Sequence, residues 1–425
     1  MKDSFRNVRM DSLNKKWETA IHREMPIYSR GNDLRSEFER DYTRLLHCRA
    51  YRRLRHKTQV FFSPSNDHAC TRIEHVGHVA SVAQTIARYL SLNEDLTRAI
   101  AIGHDIGHAP FGHSGEDILN ELLSEKDGVA SRPKRFWHER NSLFFADYIE
   151  TLDDPDGIKK TLNLTYAVRD GLICHCGEIE QAQTRPRENA MNLYEIKRPG
   201  IVQPFTWEGC VVKLSDKIAF LGRDIEDAKM YRLLDMASYR QLREIVMTTL
   251  GRNNKGFSSR RSGRAVNTTV LINDFVVDLC ENSTPETGLQ FSENYAKFII
   301  ELKKFCFANI YNHWRLQEFQ RYAQNVLETI FRTLMRTEPF AKNGQLPFNA
   351  NDYPSLAKPF EEWLICHSNY KKANTTKNLR EFLRYDTPTI FDVNNSESFK
   401  KCVIEFMSGM SDNYAIQAFK EIISF

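Results

Sequence analysis

Residues 104–116 read HDIGHAPFGHSGE, in which three histidines, two carboxylates and three glycines share thirteen positions. The stretch follows an apolar helical pattern, NEDLTRAIAIG, in which Leu96, Ala99, Ile100 and Ile102 recur at helical spacing. Asn93 is placed to cap that helix, and Glu94 and Asp95 suit its first turn. Gly103 and Gly107 predict a loosened end, and Pro110 predicts its stop. The titratable groups therefore gather just where an apolar helix gives out. Either they close the helix and feed a polar loop, or they are metal ligands and acid–base groups.

Histidine density favours the second reading. Six of the chain's 13 histidines fall between residues 75 and 138: His75, His78, His104, His108, His113 and His138. One helical histidine is ordinarily a half-buried side chain with both nitrogens satisfied; a cluster containing the adjacent pair His104–Asp105 is not. Imidazole with carboxylate suits Mn, Fe, Co, Ni or Zn, and carboxylates extend the range to Mg. Adjacent helical residues project about 100° apart, so both can reach one ion only near a frayed helix end. A third ligand is available on the preceding periodic stretch, RIEHVGHVASVAQTIARYL, as His75. A fourth is Asp216 in VVKLSDKIAF, a carboxylate on an otherwise apolar helical face, where burial is costly without a partner. Lys217, beside it, faces another part of the same pocket.

Composition bounds the partners. Lys plus Arg number 59 against 55 acidic residues, a net charge of +4 over 425 residues. That is too balanced to name a nucleic-acid partner and is compatible with an anionic substrate. The N-terminal stretch lacks the apolar core of a secretory signal, and no apolar run of about 18 residues predicts a membrane span. Nine scattered cysteines point to reduced thiols in a cytoplasmic protein. Most of the remainder reads as helix, including CVVKLSDKIAFLGRDIEDAKMYRLL and residues 291–336, so the expected fold is mostly α. Two loops stand out: residues 183–209, with three prolines and room for a small hairpin, and the basic stretch 251–264. The latter could meet a polyanion such as single-stranded nucleic acid.

The pattern H…HD…D, with YRRLRHKTQVF and RIEH upstream and WHERNS, NIYNHW and SGMSDNYA downstream, resembles the HD-domain deoxynucleoside triphosphate triphosphohydrolases. This group includes the bacterial dGTPase-like enzymes and the vertebrate SAM- and HD-domain dNTPase. The resemblance runs from about residue 42 to 415. It implies one unit over 1–425, with an HD helical core at about 42–230 and a C-terminal helical region at about 231–425. It implies that His75, His104, Asp105 and Asp216 hold one divalent ion, and that a dNTP is hydrolysed to deoxynucleoside and tripolyphosphate. His113, paired with Glu116 three residues on, is implied for acid–base work, with His108 and His138 touching phosphate or water. Arg72 and Lys217 would meet phosphate, and Arg53 and Arg223 are weaker candidates that could instead serve structural ion pairs. Gln59 would bond the 3′-hydroxyl and Val60 crowd the 2′ position, with Asp224 as a second 3′-hydroxyl contact. Phe220 stands where relatives commonly carry tyrosine, keeping a ring under the sugar without its hydroxyl. The family further implies a homo-oligomer, while the basic stretch 251–264 keeps single-stranded DNA open as an effector beside a nucleotide. Two other readings stay open: an HD phosphodiesterase or nucleotidase with two metals, His108 and His138 holding the second beside Asp105, and a weakly active nucleotide sensor.

Overall fold

In a computed structural model, residues 3–28, 33–62, 70–124, 136–176, 183–251, 268–348, 351–373 and 379–424 are described. The helix starts are local chemistry. Asn93 caps the helix Glu94–Gly103 by accepting from the Leu96 amide at 3.1 Å. Glu74 reaches back to the Thr71 amide at 2.7 Å and begins Arg72–Tyr89. Thr206 accepts from the Gly209 amide at 3.0 Å and begins the 24-residue helix Trp207–Met230. Such caps satisfy amides that have no intrahelical acceptor.

These three helices pack together, with Glu37–His47 against Glu94–Gly103. Their buried stripes are those of the sequence: Val76, Val79, Ala83, Ile86 and Ala87 on one, Leu96, Ala99 and Ile100 on the next. The fold is mostly α. The strands described, Thr151–Asp153, Lys159–Thr161 and Tyr385–Asp386, form one small sheet, antiparallel across the first pair and parallel across the second. No described helix is long and apolar enough to cross a membrane.

The apolar interior divides in two. One core runs from Phe5 through the helices above to Ile310; the other joins Ala109, Phe111 and the inner face of helix Gly112–Ser124 to helices Trp314–Met335, Ser396–Ser408 and Asp412–Ile423. The motif 104–116 thus crosses from one core to the other.

Two local expectations change. The helix before the motif ends at Gly103 rather than at Pro110, with His104 as its cap residue. Residues 183–209 form no hairpin; they hold one 3-10 turn at Leu193–Glu195 and wrap around Arg187. That guanidinium pairs with the buried Asp170 at 2.5 Å and donates to the Gln203 carbonyl at 2.8 Å. Three prolines without N–H groups leave too few donors for a ladder there. The basic stretch 251–264 lies, Gly251 apart, outside the described residues.

Candidate metal and acid–base site

The four proposed ligands arrive from three helices of the first core. His75 lies one turn into Arg72–Tyr89, His104 and Asp105 directly follow Glu94–Gly103, and Asp216 sits midway along Trp207–Met230. His75 Nε2 is 2.9 Å from Asp216 Oδ1; His104 Nε2 is 3.9 Å from that oxygen and 3.7 Å from Asp105 Oδ1. Ligands about 2.1 Å from a common ion stand roughly 3 Å or a little more from one another.

The donor chemistry fits a cation. His104 gives its Nδ1 proton to the Ala101 carbonyl at 2.6 Å, which assigns the lone pair to Nε2. That Nε2 is buried and has no hydrogen-bond partner. A buried acceptor of this kind is costly unless something absent from the polypeptide fills it. Burial would depress the His75 imidazole, but the Asp216 carboxylate overrides it and raises the ring above its ordinary value. Burial would likewise raise Asp105 and Asp216, yet neighbouring histidines, joined at Asp105 by Arg72, hold both carboxyls below the ordinary range.

The second half of the cluster straddles the loop. His108 is fully buried, its ring stacked on His138 at 4.4 Å, and neither of its nitrogens has a partner. Burial and the Arg72 charge keep it neutral. Glu116 lies on the same helix as His113, as the spacing required, but its closer partner is His138: Nδ1 is 2.8 Å away, against 3.9 Å for His113. Although burial opposes it, Glu139 and Glu116 push the His138 imidazole up to about 10. Its Nε2 is 3.9 Å from Asp105 Oδ1, so this group adjoins the ligand set. His113 is the open edge, with a largely exposed ring 5.1 Å from His108.

The substrate-side candidates lie around these two groups. Arg72 is buried and donates to Asp105 Oδ2 at 2.6 Å, with Nη2 3.5 Å from the Gln59 carbonyl. The Gln59 side-chain oxygen is buried and without a partner. Val60 and Phe220 are half-buried against the first core, and Lys217 is half-buried next to Asp216. Asp224 is buried, accepts from the Tyr311 hydroxyl, and is raised by burial to about 7. Arg53 and Arg223 form ion pairs, with Glu150 at 2.7 Å and with Glu226 at 3.3 Å.

The fold also brings in residues that sequence reasoning passed over. His175, between Cys174 and Cys176, stands edge-on to His104 at 4.9 Å; its Nδ1 is 2.8 Å from the Leu172 carbonyl, and burial lowers its pKa to about 4. Glu139, beside His138, is buried with its carboxylate 3.6 Å from His138 Nδ1. Asn141 and Ser142 brace the loop, donating to the Gly107 and His104 carbonyls at 2.7 Å each. The block WHERNS marked Glu139, Asn141 and Ser142, but nothing in spacing alone assigned those roles.

Residues 72–220 match the HD domain family and 289–352 the phosphohydrolase-associated domain. A protein of Caldanaerobacter subterraneus subsp. tengcongensis is 32% identical over 390 residues, covering 92% of this chain and 86% of its own length. One of Clostridium tetani is 32% identical over 394 residues with the same coverage, and one of Bartonella quintana 28% over 432, covering 95% of each. All three are named deoxyguanosinetriphosphate triphosphohydrolase-like protein. With that identity over nine-tenths of its length and an HD domain over residues 72–220, the chain belongs to the deoxyguanosinetriphosphate triphosphohydrolase-like family of HD-domain proteins.

Proposed function

We propose that the protein hydrolyses deoxynucleoside triphosphates, dGTP among them after its relatives' name, to deoxynucleoside and tripolyphosphate. The observation that carries this reading is the partnerless His104 Nε2 set among His75, Asp105 and Asp216, with the His138–Glu116 pair adjoining. His75, His104, Asp105 and Asp216 would hold one divalent ion, Mn or Mg first among the six metals the donors suit. When bound, it supplies Lewis-acid polarisation of the α-phosphate and acidifies the attacking water.

The chain's own residues do the rest. A water oxygen joins the α-phosphorus, the bond to the 5′-oxygen breaks, and the departing alkoxide takes a proton from His113, which the proton shed by the attacking water then replaces. Protonated His138, fixed by Glu116, adds positive charge beside the reacting phosphate, and neutral His108 accepts a hydrogen bond from water. Arg72 and Lys217 bind phosphate oxygens, and the Arg72 Nε–H has no protein acceptor. The buried Gln59 oxygen accepts a hydrogen bond from the 3′-hydroxyl, with Asp224 as second contact, while Val60 leaves a 2′-hydroxyl neither room nor partner. Phe220 lies under the sugar. The proposal extends to a cytoplasmic homo-oligomer, regulated by single-stranded DNA or a nucleotide.

A two-metal phosphodiesterase is the second reading. It is favoured by His175, whose donor atom lies within 4.8 Å of those of His104 and Asp105, and by the similarly close set His138, Glu139 and His175. Ion-exchange analysis of the four dNTPs and GTP, incubated separately with Mn²⁺ or Mg²⁺, decides between them. Tripolyphosphate, intact GTP and one metal per chain are expected. Monophosphate or diphosphate products with two metals per chain would transfer the assignment to the second reading, and binding without turnover would make the chain a sensor.

A further inference from the structure

Asp412 and Lys57 lie far apart in sequence and outside both groups above, yet both are buried against the motif. Asp412 stands in the first turn of helix Asp412–Ile423. One of its oxygens accepts from the Thr58 amide and the other from the Phe111 amide, each at 2.8 Å. Thr58 precedes Gln59, and Phe111 precedes Gly112 and His113. A single carboxylate therefore spans the strand of chain that carries the sugar-side glutamine and the loop that carries the acid–base histidines.

Lys57 repeats the bridge from the other side. Its ammonium donates to the His108 carbonyl and, at 3.0 Å, to the Ser408 carbonyl at the end of helix Ser396–Ser408. Ser408 also accepts through its hydroxyl from Asn141, which holds the Gly107 carbonyl. Phe319 of helix Trp314–Met335 closes the arrangement, stacked on Phe62 at 5.0 Å and edge-on to Phe111 at 5.9 Å. What this resists is visible in the backbone: Phe111 and Gly112 are consecutive left-handed residues, with φ of 64° and 65°. A non-glycine residue holds that conformation only where its surroundings impose it. A buried carboxylate and a buried ammonium, each satisfied by backbone groups of separate segments, are an expensive way to hold a loop, and they fix its position closely.

We infer that Asp412 and Lys57 are positioning residues through which the C-terminal helices set the distance between the Gln59 segment and the His108–His113 loop. They touch no reacting atom. The inference borrows the hydrolase reading for its kinetic arm only.

The test is Asp412→Asn, nearly isosteric but with one oxygen fewer, compared with Glu421→Gln on the same helix, whose carboxylate accepts instead from Ser355. For Asp412→Asn, a kcat loss of about 100-fold is expected, the size a misplacement of about 1 Å can produce. Discrimination between dNTP and GTP should shrink with it. Metal content should match the unaltered protein, and amide exchange should accelerate at residues 57–62 and 108–113 but not at 75–90. Glu421→Gln should leave all four readouts unchanged. Where Asp412→Asn does not fold, Lys57→Met/Asp412→Asn removes both buried charges together and should show the same split. Unchanged kcat, or exchange that rises equally everywhere with metal loss, would overturn the inference. If the unaltered protein turns over no nucleotide, the hydrolase reading fails, and segment-specific exchange still decides whether the clamp exists.

Discussion

The half of the site that would hold a metal and the half that would move protons are secured by different means. His75, His104, Asp105 and Asp216 hang on, or directly beyond, three long helices whose apolar faces interlock in one core. His108 and His113 sit on a loop and a helix start, between two cores, held by side chains that bond the loop backbone at Gly107 (Asn141 and Ser142), His108 (Lys57) and Phe111 (Asp412). Helix packing fixes backbones without spending polar groups, which suits ligands that must meet within a few tenths of an ångström. A loop held by hydrogen bonds can place a buried ring and an exposed ring a few ångströms apart, as in His108 and His113. In the first arrangement the backbone keeps its place when one side chain is lost; in the second it depends on each tie.

The largest expected effect separates the halves outright. Asp105→Asn removes the carboxylate that faces His104 and His138 and ion-pairs with Arg72, so metal content and turnover should both vanish, as metal analysis and product assay would show. Retained metal with lost activity would instead place Asp105 in the proton-handling half. His113→Ala is the converse. The ring is largely exposed and outside the ligand set, so metal should stay while kcat falls by about 10²–10⁴-fold, the usual range for a lost general acid. Near-normal turnover there would move the acid role to His138.

The two halves also differed in how far sequence revealed them. Helical periodicity placed Asp216 on an apolar face and His75 on a periodic stretch, and the adjacent His104–Asp105 followed an apolar run as it gave out, because each depends on residues within a few turns. The partner of Glu116 was less legible. Spacing offered His113 at i+3 geometry, whereas the 2.8 Å bond comes from His138, 22 residues away, through packing that no local pattern encodes. Lys57 and Asp412, 355 positions apart, are the extreme case: each sits in a block that stood out, yet only the fold shows that they meet at one loop. Gly107 was legible as a glycine but misread in purpose. It does not loosen a helix; it lets the loop press against the backbone of His138–Phe144.

That glycine gives the sharpest structural comparison. A Cβ at Gly107 would lie 2.0 Å from the Ser142 amide nitrogen and 2.3 Å from the Asn141 carbonyl carbon, both backbone atoms that cannot step aside. Gly107→Ala must therefore push the loop off its brace, at a cost of about 3 kcal/mol or more. A lower unfolding midpoint and a weaker kcat should follow, with metal affinity less affected. Gly77 lies two residues from His75, on the exposed side of Arg72–Tyr89, where a Cβ would meet nothing within 4 Å. Alanine there adds helix propensity and restricts the unfolded chain, so Gly77→Ala should stabilise by about 0.5–1 kcal/mol, a small rise in denaturant midpoint. Its turnover should not change, because the helix already fixes His75 without help from that face. A loss of metal in Gly77→Ala would mean that the ligand helix must move to bind its ion, and the contrast between a rigid ligand half and a tied proton half would fail at its stronger end.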